Sequence, residues 1–135
     1  MQEVHMNILA LLVAAAVKWM IGGLWYSPPL FAKPWQAMSG VSEEQMKKGL
    51  VKFSIAGFVC DVVMAFVLVH AIRYANATGF TQGMCVGFFN WLGFVATVTF
   101  IQTFYEYRPV KLWLINNGYL LLSLLIMGGI LAVWT

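Results

Sequence analysis

Four long apolar stretches constrain this chain more than any other feature. A helix that crosses a bilayer needs about 20 mostly apolar residues. Residues 7–26, 51–74, 82–105 and 110–134 each reach that length. Lys18 interrupts the first, and Asp61 and His70 the second. Of the 135 residues, 61% are hydrophobic and only 10% are charged, against about 25% charged in a soluble domain. So few charges cannot give a core of this size a polar surface. The expected architecture is therefore all-α: a single membrane domain over residues 1–135, built as a four-transmembrane-helix bundle. A short amphipathic helix is expected between helices 1 and 2.

The first stretch ends in residues 22–35, GGLWYSPPLFAKPW. Amphipathic rings settle at the headgroup level, and prolines stop a helix once it has crossed. Gly22, Trp25, Tyr26, Ser27, Pro28, Phe31 and Trp35 thus read as an interfacial motif. Residues 27–50 form an interfacial loop and helix. Ser42 followed by Gln45 has the spacing of a capping box. Met46, Leu50 and Phe53 recur at helical intervals, so a short surface helix is expected to lead into the second span. The connections at 75–81 and 106–111 are too short to hold a further domain, and Pro109 suits the first turn of the last helix.

The net charge is +3, but the basic residues occupy loops and form no stripe, which argues against nucleic acid. Lys33, Lys47, Lys48, Lys52, Arg108 and Lys111 fall on one side, and Arg73 alone on the other. The excess of Lys and Arg marks the cytoplasmic face. Loops 1 and 3 are then cytoplasmic and both termini outside, in a bacterial inner or plasma membrane. Residues 1–6 hold Glu3 and His5 but no basic residue, so the first span is expected to stay in the membrane rather than leave as a signal peptide. Cys60 and Cys85 fit neither a CxxC pair nor a zinc pattern, and read as small buried hydrophobes. His5 and His70 make no metal site on their own. No cofactor is implied, and no nucleophile–base pair, phosphate loop or HExxH stretch points to an enzyme.

Lipid gives helices no hydrophobic reason to associate, so small and polar residues carry the contacts between them. Each span has such a stripe: Asn7, Ala14, Lys18 and Gly22; Ser54, Gly57, Asp61 and Ala65; Gly79, Gly83, Gly87, Asn90 and Thr97; Asn116 and Ser123. Gly79, Gly83 and Gly87, spaced by four, suggest a packing face open to a second copy of the chain. Lys18 lies seven residues from its helix end and Asp61 about ten, or roughly 10 and 15 Å deep at 1.5 Å per residue. The two are expected to pair. Asn90, Gln102, Glu106, Asn116, Asn117 and Tyr119, with Thr99 and Thr103, are expected to join that pair in one polar cavity open to the cytoplasm. Glu106, at the boundary, is either hydrated or paired with Arg108 or Lys111. Asn90 lies deeper, where asparagine also serves as interhelical glue.

Two stretches, GGLWYSPPLFAKPW and FYEYRPVKLWLINNGYLL, resemble the membrane family catalogued as domain of unknown function 1761. The likeness rests on Gly22, Trp25, Tyr26, Ser27 and Pro28, followed by Leu30, Phe31 and Trp35. It continues in Glu106, Arg108 and Pro109, then Asn116 and Tyr119. Lys18 and Pro29 depart from the family pattern. The resemblance spans nearly the whole chain and implies a four-helix membrane fold, with no activity attached. The residues themselves favour a homo-oligomeric transporter or channel for a small solute or ion, using the polar cavity. The alternative is a non-catalytic accessory, lipid-binding or assembly protein that meets anionic lipid through Lys33, Lys47, Lys48 and Lys52. An intramembrane enzyme using Asp61 or Glu106 ranks last, because neither has a partner at catalytic spacing.

Overall fold

A computed structural model describes residues 6–134 of the chain; Glu3 and His5 lie outside them. Among the described residues, four helices are long and apolar enough to cross a membrane. Helix α1 (Ile8–Trp25) opens on Asn7, whose side chain accepts a hydrogen bond from the Ala10 amide at 3.3 Å. Helix α2 (Ala32–Ser39) is short and lies between the first two spans. Pro34 is tolerated there because first-turn amides have no helical partner. Gly40, with φ of 78°, ends the helix in the left-handed region that glycine enters without strain.

Helix α3 (Glu43–Tyr74) corrects one expectation. Ser42 and Gln45 do form the reciprocal capping box, at 3.1 and 2.9 Å. No break follows: the surface segment and the second span are one helix of 32 residues. At 1.5 Å per residue this is about 48 Å, against a hydrocarbon core of about 30 Å. The surplus at the Glu43 end carries two exposed ion pairs, Glu43–Lys47 and Glu44–Lys48. The expected short helix between the first two spans does exist, but it is α2, capped at Phe31, eleven residues before Ser42.

The third span is built from α4 (Phe80–Asn90), a π-helical segment at Trp91–Ala96 and α5 (Thr97–Tyr105). Asn76 and Tyr107, at φ of 55° and 53°, take the left-handed position after α3 and α5. Their amides and the next ones bond back to Arg73, Ile72, Phe104 and Thr103 carbonyls, which closes the exposed helix ends. Helix α6 (Val110–Trp134) completes the fold.

Helix α6 is central. It meets α1 and α3 on one side and α4 on the other, while α3 barely touches the third span. The core of the half nearer the chain termini is filled by Ala10, Leu11, Ala14, Ala65, Leu68, Val69, Ile72, Leu124, Met127 and Leu131. Gly83 and Gly87 on α4 cross α6 so closely that an added Cβ would strike the Gly128 and Leu124 carbonyls; Gly128 in turn meets Gly83. The glycine face assigned to a second copy is thus occupied by α6 of the same chain, and Gly79 only precedes α4. The cysteines are also corrected: Cys60 and Cys85 are both exposed, on the outer surfaces of their helices.

Candidate functional site

Helix α1 buries Lys18 and α3 buries Asp61, at 5% and 3% exposure. Charges this deep must find one another, and Lys18 Nζ donates to Asp61 Oδ1 at 2.6 Å. It also donates to Tyr119 Oη at 3.0 Å and sits 4.7 Å from the centre of that ring. The Tyr119 hydroxyl lies 3.2 Å from the Lys18 carbonyl, within donating distance. Tyr119 is thus the third member of the cluster. On the pattern of α6 alone it was indistinguishable from the other polar residues there.

The cluster forms the floor of a cleft of about 610 Å³ between α1 and the first half of α3. Trp19, Met20, Leu50 and Phe53 wall it, and Tyr26, Trp35 and Met46 cover its interfacial end. Gly57 lines it with nothing within 4 Å of an added Cβ. A second apolar groove, lined by Ala16, Ile55, Phe58 and Val59, continues from it at Trp19, Met20 and Ser54. Only one Asp61 oxygen is used: no donor among the described residues reaches Oδ2.

The single polar cavity expected from sequence is not formed. Gln102, Glu106, Asn116 and Asn117 line a different cleft of about 390 Å³, with Thr99, Thr103, Arg108 and Trp113. Trp35 lies between the two clefts and lines both. The Tyr26 hydroxyl, donating to Asn116 Oδ1 at 2.8 Å, closes the same wall. Asn117 is consumed in holding the third span. Its carbonyl accepts from Trp91 Nε1 at 3.0 Å, its Oδ1 lies 2.9 Å from Thr99 Oγ1, and its Nδ2 donates to the Trp113 carbonyl at 3.0 Å. Asn90 belongs to neither cleft; it donates to the Val86 carbonyl at 2.8 Å and borders an apolar groove between α3 and the third span. Glu106 forms no ion pair with any described residue. Arg108 instead donates to the Ser39 carbonyl at 3.3 Å, where the C-terminal end of α2 favours a cation.

A family model described as "Protein of unknown function (DUF1761)" matches residues 9–132. The chain belongs to the DUF1761 family. No curated protein and no solved structure matched it. In this DUF1761 member the two motif stretches meet across α1 and α6. An added Cβ at Gly22 would lie 2.7 Å from Tyr119 Oη, so any larger residue there has to displace the hydroxyl end of the tyrosine. Trp25 Nε1 donates to the Ile115 carbonyl at 2.9 Å, and its ring lies against Gly118. Tyr26 reaches Asn116, Phe31 stacks on Trp25 at 4.7 Å, and Trp35 meets Tyr26 edge-on at 5.8 Å. Ser27 Oγ donates to the Leu24 carbonyl at 2.5 Å, and Pro28 lies in the turn that follows. The motif expected at the interface is a clamp between helices. The sequence pattern did not single out Trp19, Met20 or Gly128. Gly57, expected in the packing stripe of the second span, faces the cleft instead of a neighbouring helix, and the glycine pair at 128–129 was the overlooked signal for the close crossing.

Proposed function

We propose that this protein binds an amphiphile from the bilayer, seating its polar end on the Lys18–Asp61–Tyr119 cluster and its apolar body along α1 and α3. One observation carries this reading: a buried ion pair with an unused carboxylate oxygen opens sideways onto an apolar cleft. An ion pair kept only for register needs no such opening. The reading develops the lipid-binding alternative, with the cationic loops on the cytoplasmic side and both termini outside.

A transporter or channel is the second reading, favoured by the polar cleft behind Trp35. Within one chain the outer half is closed by the packed core, so a route through the membrane needs a second copy. The third span is available for that. It contacts α6 and leaves Phe89, Phe94, Ile101 and Phe104 outward.

The test is photolabelling of the reconstituted protein with an alkyl amphiphile bearing a diazirine. Labelling is expected on Trp19, Met20 and Phe53, falling about tenfold in Gly57→Leu, whose Cβ meets nothing within 4 Å and whose side chain occupies the cleft. Even labelling of every lipid-facing helix, unchanged by Gly57→Leu, overturns the reading.

A further inference from the structure

The floor of the cleft is specific about what it can hold. An ammonium has three donors and a carboxylate has acceptor sites on both oxygens. Lys18 places two donors, on Asp61 Oδ1 and Tyr119 Oη, and the third has no acceptor among the described residues. Asp61 Oδ2 has no donor. One free donor and one free acceptor therefore adjoin on a pair whose charges already cancel.

The charge state of the missing group follows. A cationic headgroup would approach Asp61 against the Lys18 ammonium, and an anionic one would approach Lys18 against the Asp61 carboxylate. In a low dielectric, both repulsions are large. Depth adds a second argument. Lys18 lies seven residues inside the Trp25 end of α1, or about 10 Å from the interface. Carrying a further charge to that depth is costly. A neutral hydroxyl suffers neither penalty, and it both donates and accepts. It can donate to Asp61 Oδ2 while accepting from the third Lys18 N–H. Tyr26, Trp35 and Tyr119 line the same cleft and give aromatic surface for the carbon skeleton that bears it.

We infer that the amphiphile is neutral and headed by hydroxyl groups, such as a glycerol or other polyol esterified or ether-linked to one hydrocarbon chain that follows the groove past Ile55 and Phe58. This rests on the amphiphile-binding reading above and names the ligand class for that site.

The test is competition against the diazirine probe on the full chain in lipid nanodiscs, with four competitors of one chain length. These are a monoacylglycerol, an alkyltrimethylammonium, a fatty acid and a lysophosphatidylethanolamine. The monoacylglycerol is expected to compete at about tenfold lower concentration than the rest, since it alone makes both hydrogen bonds without adding charge. The dimethyl ether of the same glycerol lipid, which has lost its donors, is expected to be about tenfold weaker. Lys18→Met/Asp61→Leu should abolish the preference and leave the apolar groove intact. The comparison of competitors on the unaltered protein stands even if that variant does not fold. Preference for the cation, the anion or the zwitterion, or indifference to the ether, overturns the inference while leaving the cleft a binding site. Probe labelling that no competitor displaces and Gly57→Leu does not reduce overturns both.

Discussion

Removing one member of the Lys18–Asp61 pair should harm this protein more than removing both. Lys18→Met leaves Asp61 buried at 3% exposure with no cation, a loss of about 3–5 kcal/mol for a broken buried pair. Lys18→Met/Asp61→Leu replaces both with apolar groups and should melt within about 1 kcal/mol of the parent, or above it. Thermal unfolding of the purified protein in detergent checks this; a double variant less stable than either single one would mean the pair is needed for folding. Gly22 makes a second residue-scale prediction. Gly22→Ala drives its methyl into Tyr119 Oη and should cost about 1–3 kcal/mol. Tyr119→Phe removes that oxygen, so part of the loss should return in the double variant, with a coupling above about 0.5 kcal/mol. The Lys18–Asp61 pairing was legible in the sequence because the two opposite charges differ in depth by only about 5 Å, a gap that a lysine stem closes. Tyr119 was not legible as their partner, nor Asn117 as a separate hub. Helix α6 is apolar on nearly every side, so its pattern does not say which way Asn116, Asn117 and Tyr119 face, and one turn sends them to different clefts.

The elements meet in two different ways. On one side of α6, bulky motif residues interlock with α1; on the other, glycines let α4 approach backbone to backbone. Gly87→Ala and Gly128→Ala should therefore both destabilise, because the added methyl meets main chain that cannot move aside. Gly93→Ala, with nothing within 4 Å, should be neutral or gain about 0.5–1 kcal/mol from helix propensity. Equal effects at the three positions, measured as melting temperature, would mean that the crossing is not this close. The π segment at Trp91–Ala96 belongs to the same logic. Trp91 and Thr99 both reach Asn117, yet eight residues separate them where two α-turns take about seven. The wider π turn absorbs the extra residue. Deleting Gly93 should restore an α-helix and keep both contacts, whereas deleting Ile101 should rotate Thr103 out of its buried position and lower stability. The existence and type of all four spans could be read from length and hydropathy. The π turn could not, since its cause is a contact across the bundle and no local residue demands it.

At the scale of the whole molecule, the distribution of charge bears on which face the clefts address. The Arg108–Ser39 hydrogen bond ties loops 1 and 3 to one end, and Arg73, donating to the Leu131 carbonyl at 3.4 Å, marks the other. Six cations, Lys33, Lys47, Lys48, Lys52, Arg108 and Lys111, gather at the first end, and the surplus length of α3 projects there. Such an excess is held on the cytoplasmic side during insertion. In a chain freed of Cys60 and Cys85, Thr78→Cys should react with a membrane-impermeant maleimide on intact cells. Lys48→Cys should react only after the cells are opened. The reverse pattern would invert the molecule. The consequence reaches the ligand, because the cleft under Tyr26, Trp35 and Leu50 opens near the cationic end. With Lys48 inside, a hydroxyl-headed lipid must enter from the inner leaflet. A monoacylglycerol probe confined to the inner leaflet should then label Met20 and Phe53, and the same probe confined to the outer leaflet should not.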